Sequence, residues 1–147
     1  MDTGLNGIED GRLRRLLDYW ESKRLGARLP ARRHLDPLDF HYLLGWVALI
    51  DVSHQPLRFR YRLMGVLLVE RFGFDMTGKA LDEFPQPEFR GFLEAGWRAV
   101  VERRAPTHIF HNDVVDRHRR DFETLRLPLA GDGETVDMLL LASVHRR

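Results

Sequence analysis

Residues 58–79 read RFRYRLMGVLLVERFGFDMTGK, and the fold turns on how this stretch is read. Its first part alternates strictly. Phe59, Tyr61 and Leu63 share one face of an extended chain, and Arg58, Arg60 and Arg62 share the other. That is the pattern of an antiparallel strand with one face buried and one in water. Gly65 closes it, and residues 66–72 suit a short helix. The last part, Gly73 to Lys79, fits the first seven positions of a phosphate-binding loop. Position eight is Ala80, where that loop needs a Ser or Thr hydroxyl for magnesium. Asp75 would put a negative charge inside an anion cradle, and the segment before it is helix-like, not a buried parallel strand. The stretch is therefore expected to be a turn in which Gly73 and Gly78 take backbone conformations that suit glycine.

Upstream, residues 46–52, WVALIDV, form a second strand candidate, joined to the first by the turn residues SHQP. Before them, Asp36-Pro37-Leu38-Asp39 is a good helix start, with Asp as N-cap and Pro at the first position. Residues 8–25 read as an amphipathic helix, with Leu13, Leu16, Leu17 and Trp20 on one face. The segment ARLPARRHL that follows reads as a basic extended linker. Downstream, 88–104 reads as a long helix ended by Pro106. Strand candidates follow at 107–115, 122–129 and 136–144, with charged residues 116–120 and Gly131-Asp132-Gly133 as turns. Helix, helix, strand, strand, short helices, long helix and three strands predict an α+β architecture: a five-stranded antiparallel sheet with helices on one face, preceded by an N-terminal amphipathic helix. Residues 1–35 are expected to be that helix and its linker, and 36–147 the domain proper.

Composition limits the chemistry. The chain has 147 residues, which suits one domain, and no cysteine. Disulfides, thiolate metal sites, cysteine nucleophiles and cysteine–flavin photochemistry are excluded. The longest apolar runs fall far short of the ~20 residues of a membrane span, and the start, MDTGLNGIED, is not a secretory signal. A cytoplasmic protein is expected. Net charge is +1, with 21 Arg and 2 Lys spread among 22 acids, which gives no case for nucleic acid. His108 and His111 point to opposite faces of their strand and provide no metal set. No catalytic constellation is evident. The best acid–base grouping, Asp113, His111 and Tyr61, suits a ketosteroid-isomerase-like cone, and this is the enzyme alternative.

Several short motifs share an order with one family. They are Tyr19-Trp20, Leu29-Pro30-x-Arg32, Asp36-Pro37, Tyr61-Arg62-Leu63-x-Gly65, Thr77-Gly78-Lys79, and Leu125-x-Leu127-Pro128-Leu129 followed by Asp132-Gly133. In this and in element order the chain resembles a PAS domain, and in particular a small single-domain bacterial PAS subfamily of largely unknown function. The resemblance covers roughly residues 13–145. It implies a sensor or interaction module in signal transduction, without enzymatic activity. Such a module would bind a small ligand between sheet and helices, act on a protein partner and form a homodimer. Tyr61, Leu63, Phe72, Trp97, Phe110 and Leu125 are then expected at the ligand, and Leu13, Leu16, Leu17 and Trp20 at a dimer contact. No cofactor is expected; the long helix has no histidine to offer a haem.

Overall fold

In the computed structural model, which describes residues 4–115 and 118–146, five antiparallel strands make one sheet. They are β1 (Val47–Ser53), β2 (Arg58–Met64), β3 (Thr107–Val115), β4 (His118–Leu129) and β5 (Met138–His145), in the spatial order β2-β1-β5-β4-β3. The charged residues expected as a turn at 116–120 already belong in part to a strand: β4 starts at His118 and pairs back along β3, from Val115↔His118 to Thr107↔Arg126. Asp116 and Arg117 lie outside the described residues.

The helices are α1 (Gly11–Ser22), α2 (Val66–Phe72) and α3 (Pro87–Arg103). The Asp10 carboxylate accepts hydrogen bonds from the Arg12 and Leu13 amides and so caps α1. Pro87 opens α3 at a position that needs no amide proton. The helix expected after Asp36-Pro37 is a 3-10 segment, Pro37–Trp46, kinked at Phe40, with Asp36 capping the Leu38 amide.

The two faces of the sheet are covered by different parts of the chain. Helices α2 and α3 lie over the face that carries Ala48, Tyr61, His111, Thr124, Arg126, Leu141 and Ser143. Helix α1 packs on the reverse face. Its Leu13, Leu16, Leu17 and Trp20 are all buried in the core that holds the whole chain together. The Trp20 indole N–H donates to the Pro128 carbonyl at 2.9 Å. These four residues were expected at a dimer contact; here they are used up on the chain's own sheet, because that face would otherwise expose the apolar side chains of β4. The division into 1–35 and 36–147 has no counterpart in the packing.

The basic segment after α1 is no solvated linker either. Leu29, Pro30 and Ala31 are buried. The Leu29 amide donates to Gly133, and the Ala130 amide to Pro30. Arg28 and Arg33 donate to the carbonyls of Asp132 and Gly131, so they hold the β4–β5 turn.

The stretch at Gly73 to Lys79 pairs with the edge of β2. The Gly78 amide donates to the Tyr61 carbonyl and the Tyr61 amide to the Lys79 carbonyl, at 2.7 and 2.9 Å. The Thr77 amide is held by Asp75, and Thr77 Oγ1 accepts from the Met64 amide. Backbone groups that a phosphate cradle would need are already bonded, and Lys79 is exposed. Gly73 and Gly78 both have φ near 83°, and a Cβ at either would meet nothing. The cost of a side chain at Gly78 is thus purely conformational. Gly78→Ala is expected to lose about 1–2 kcal/mol in a urea melt. Lys79→Ala is expected to stay within about 0.5 kcal/mol of wild type. Equal behaviour of the two variants would contradict this account of the turn.

Candidate functional site

Between α2, α3 and the sheet lies a small cavity. About 50 Å³ of it admits the centre of a water-sized atom. Strand β1 contributes Ala48, β2 Tyr61 and Met64, α2 Leu68, Arg71 and Phe72, and α3 Phe89, Phe92, Leu93 and Trp97. The remaining strands add His111, Thr124, Arg126, Leu141 and Ser143. A more open cleft adjoins it, lined by Gln86, Glu88, Asn112 and Asp113, and shares Phe89, Phe92 and His111 with it.

Three of the six expected ligand residues line this cavity: Tyr61, Phe72 and Trp97. Trp97 stands edge-on to both Phe59 and Tyr61, with centroids 5.5 and 5.6 Å apart. Phe72 anchors a cluster with Phe74, Phe84 and Phe89. The other three do not line it. Leu63 is 44% exposed on the reverse side, beside Leu49 and Leu140. A bulge explains this: Leu49 pairs with Leu63 but the next residue, Ile50, pairs with Tyr61. The extra residue at Arg62 sends Tyr61 and Leu63 to opposite faces and turns Met64 into the cavity. Phe110 lies opposite Glu123 in the ladder, and packs edge-on to His108 on the reverse face. Leu125 points the same way and is fully buried beyond the sheet from the cavity.

The polar wall was largely absent from the sequence reading. Arg71, at the end of α2, has a side chain only 5% exposed. One of its N–H groups donates to Ser143 Oγ at 2.8 Å, and its guanidinium lies 3.3 Å from the Phe122 ring centre. The Asp113 carboxylate is 3.9 Å away, a loose ion pair. The Thr124 hydroxyl donates to Ser143 at 2.8 Å, and His111 Nε2 meets Thr124 Oγ1 at 2.7 Å. A relay thus runs from Arg71 through Ser143 and Thr124 to His111. Arg126 enters from the neighbouring position on β4, its guanidinium 5.7 Å from the Phe92 ring centre. A Cβ at Gly96 would come within 2.6 Å of that guanidinium, so only glycine there leaves it this place.

Burial and charge set the protonation of this wall. Burial lowers Arg71 to about 10, opposed by Asp113, so it stays a cation at neutral pH. Burial raises Tyr61 above its ordinary range and keeps the phenol neutral. His111 is pushed down to about 3, first by burial, then by Arg71 and Arg126. It is neutral throughout the physiological range, which suits a hydrogen-bonding part and not a base poised near pH 7. Of the grouping Asp113, His111 and Tyr61, the last two line the cavity and Asp113 lines the adjoining cleft; the neutral His111 is no base poised near pH 7.

The burial of a neutral His111 makes the stability of the fold depend on pH. The folded protein refuses a proton that the unfolded chain accepts near pH 6.5. Stability is therefore complete above about 6.5 and falls as the pH drops towards 3. At pH 5 the expected loss from this group is about 2 kcal/mol relative to pH 8. His111→Gln keeps a partner for Thr124 and should remove that part of the slope. Urea melts of both proteins at pH 5 and pH 8 measure it, and parallel slopes would contradict it.

Among the described residues, no group of three or more His, Asp or Glu could hold a metal ion. No helix in them is long and apolar enough to cross a membrane.

Solved structures resemble the fold. A LOV protein of Rhodobacter sphaeroides superimposes with a TM-score of 0.51 at 12% identity, over 76% of this chain and 68% of that one. The d2 variant of RsLOV gives 0.50 at 10% identity, over 94% and 68%. The PAS domain of Bordetella pertussis BvgS gives 0.46 at 14% identity, over 76% and 86%. No curated protein matches the chain significantly. At sequence level the model of one family, described as PAS domain, matches residues 9–142. That match starts before α1, in agreement with a core that includes α1 as fully as the strands, and the chain belongs to the PAS domain family.

Proposed function

We propose that this protein is a sensory PAS module whose cavity takes up a small molecule and whose sheet passes the change on to a protein partner. The observation that carries the reading is the buried relay of Arg71, Ser143, Thr124 and His111 on the cavity wall. Buried polar and charged groups cost stability that apolar residues would not, so their place on a cavity wall favours a binding role. Transmission has a short path. Thr124 and Ser143 sit on the strands β4 and β5, and the alternate residues of β4 carry α1 on the reverse face. A ligand that shifts the relay strains the same strands on which α1 rests. The neutral His111 favours a binding role over catalysis. Self-association, if the module uses it, involves surfaces other than the buried face of α1.

Native mass spectrometry of freshly purified protein tests this reading. A retained small molecule, or a ligand-dependent change of stoichiometry or of α1 hydrogen exchange, is the expected result. A protein that responds to no member of a broad metabolite panel would overturn it.

A further inference from the structure

The polar wall of the cavity leaves several hydrogen-bond donors without an acceptor. Arg71 offers one N–H to the relay, and Ser143, Thr124 and neutral His111 carry one proton each. That makes four protons for three hydrogen bonds. One proton is left over whichever way the hydroxyls turn. The Arg71 Nε–H is also buried without a partner. The Tyr61 hydroxyl lines the same space and makes no hydrogen bond to any described residue. His111 Nδ1 is buried and likewise unpartnered. Asp113, at 3.9 Å, is too far for a hydrogen bond with Arg71.

A surplus of buried donors around a buried cation fits an acceptor with negative charge, and a carboxylate matches the guanidinium in shape. Apart from Arg126, the rest of the wall is apolar, with Ala48, Leu68, Trp97 and Leu141. The space is small, about 50 Å³ for the centre of a water-sized atom, which suits a ligand of a few non-hydrogen atoms. The outer cleft carries the acids Glu88 and Asp113 and no Lys or Arg, so the end that favours an anion is the inner wall.

Given that the cavity is a ligand site, we propose that its ligand is a short-chain monocarboxylate of the size of acetate or propionate. Its carboxylate is held by Arg71, Tyr61 and the relay, and its alkyl end faces the apolar wall.

Thermal melts and calorimetric titrations of the whole chain with sodium propionate decide the matter, beside propionamide, its neutral isostere, and sodium chloride. Propionate is expected to raise the melting temperature by several degrees and to give a saturable calorimetric titration, while propionamide and chloride do neither. Arg71→Met keeps an apolar stem against Phe122 and is expected to lose at least about tenfold in propionate affinity. Ser143→Ala leaves Arg71 in place and is expected to lose about threefold, so it serves if the Arg71 variant fails to fold. Propionamide bound as well as propionate, or retention of a neutral molecule in native mass spectra, overturns the carboxylate while the sensor reading stands. Silence towards propionate and towards the broad metabolite panel overturns both.

Discussion

Trp20→Ala is expected to cost about 3–5 kcal/mol, among the largest losses available to a single substitution here. The indole is fully buried on the reverse face of the sheet, and its N–H is the donor to the Pro128 carbonyl. Truncation removes the apolar area, leaves a cavity and takes away that donor. For a domain of this size the melting temperature should fall by about 10 °C or more. The measurement separates two roles for α1. If the helix were a detachable arm that meets a second copy, the loss would be below about 1 kcal/mol at low protein concentration and would grow with concentration. A large loss independent of concentration is the outcome that packing within one chain requires.

Glu123→Ala is expected to cost a comparable amount, about 3–5 kcal/mol. Glu123 is buried on the reverse face, and its carboxylate accepts from His108 Nε2 at 2.8 Å and from the amides of Glu9 and Asp10 at 2.8 and 3.1 Å. No other described group replaces it for those two amides. Removing it leaves the buried His108 and the part-buried Glu9 and Asp10 amides facing an empty site, and the unmet buried donor alone costs roughly 1–3 kcal/mol. Glu123→Gln should lose less, because its amide oxygen still accepts, though its NH₂ faces other donors. The readout that tells this from simple core damage is hydrogen exchange. The Glu9 and Asp10 amides should lose protection first, since Glu123 ties the start of α1 to β4. Full protection of those amides in the variant would contradict the assignment.

Much of the fold was legible in the residues alone. The alternation of Arg58 to Met64, the caps at Asp36-Pro37, the prolines around α3 and the turn at Gly131-Asp132-Gly133 are local signals, and each element they predict is present. The site was legible only by half. Aromatic cavity residues could be guessed because large rings fill a small core. Its polar wall could not. Thr124 and Arg126 alternate with Leu125 and Leu127 on β4, and alternation by itself reads as one face buried and one in water. Here both faces are covered, so Thr124 and Arg126 are buried too. Arg71 is one charge near a helix end, and nothing beside it in the chain marks it as a cavity residue.

Period and turn chemistry, which act over a few residues, thus determined element order, strand faces away from the bulge, the glycine-hinged turn and the family likeness. Only the tertiary structure decided which side of the sheet each face meets. The bulge at Arg62 depends on pairing with β1, the burial of Trp20 on the reverse face depends on β4, and the gathering of Arg71, His111, Thr124 and Ser143 joins four elements distant in sequence. Contacts of that range are set by how whole elements pack, which no local pattern encodes.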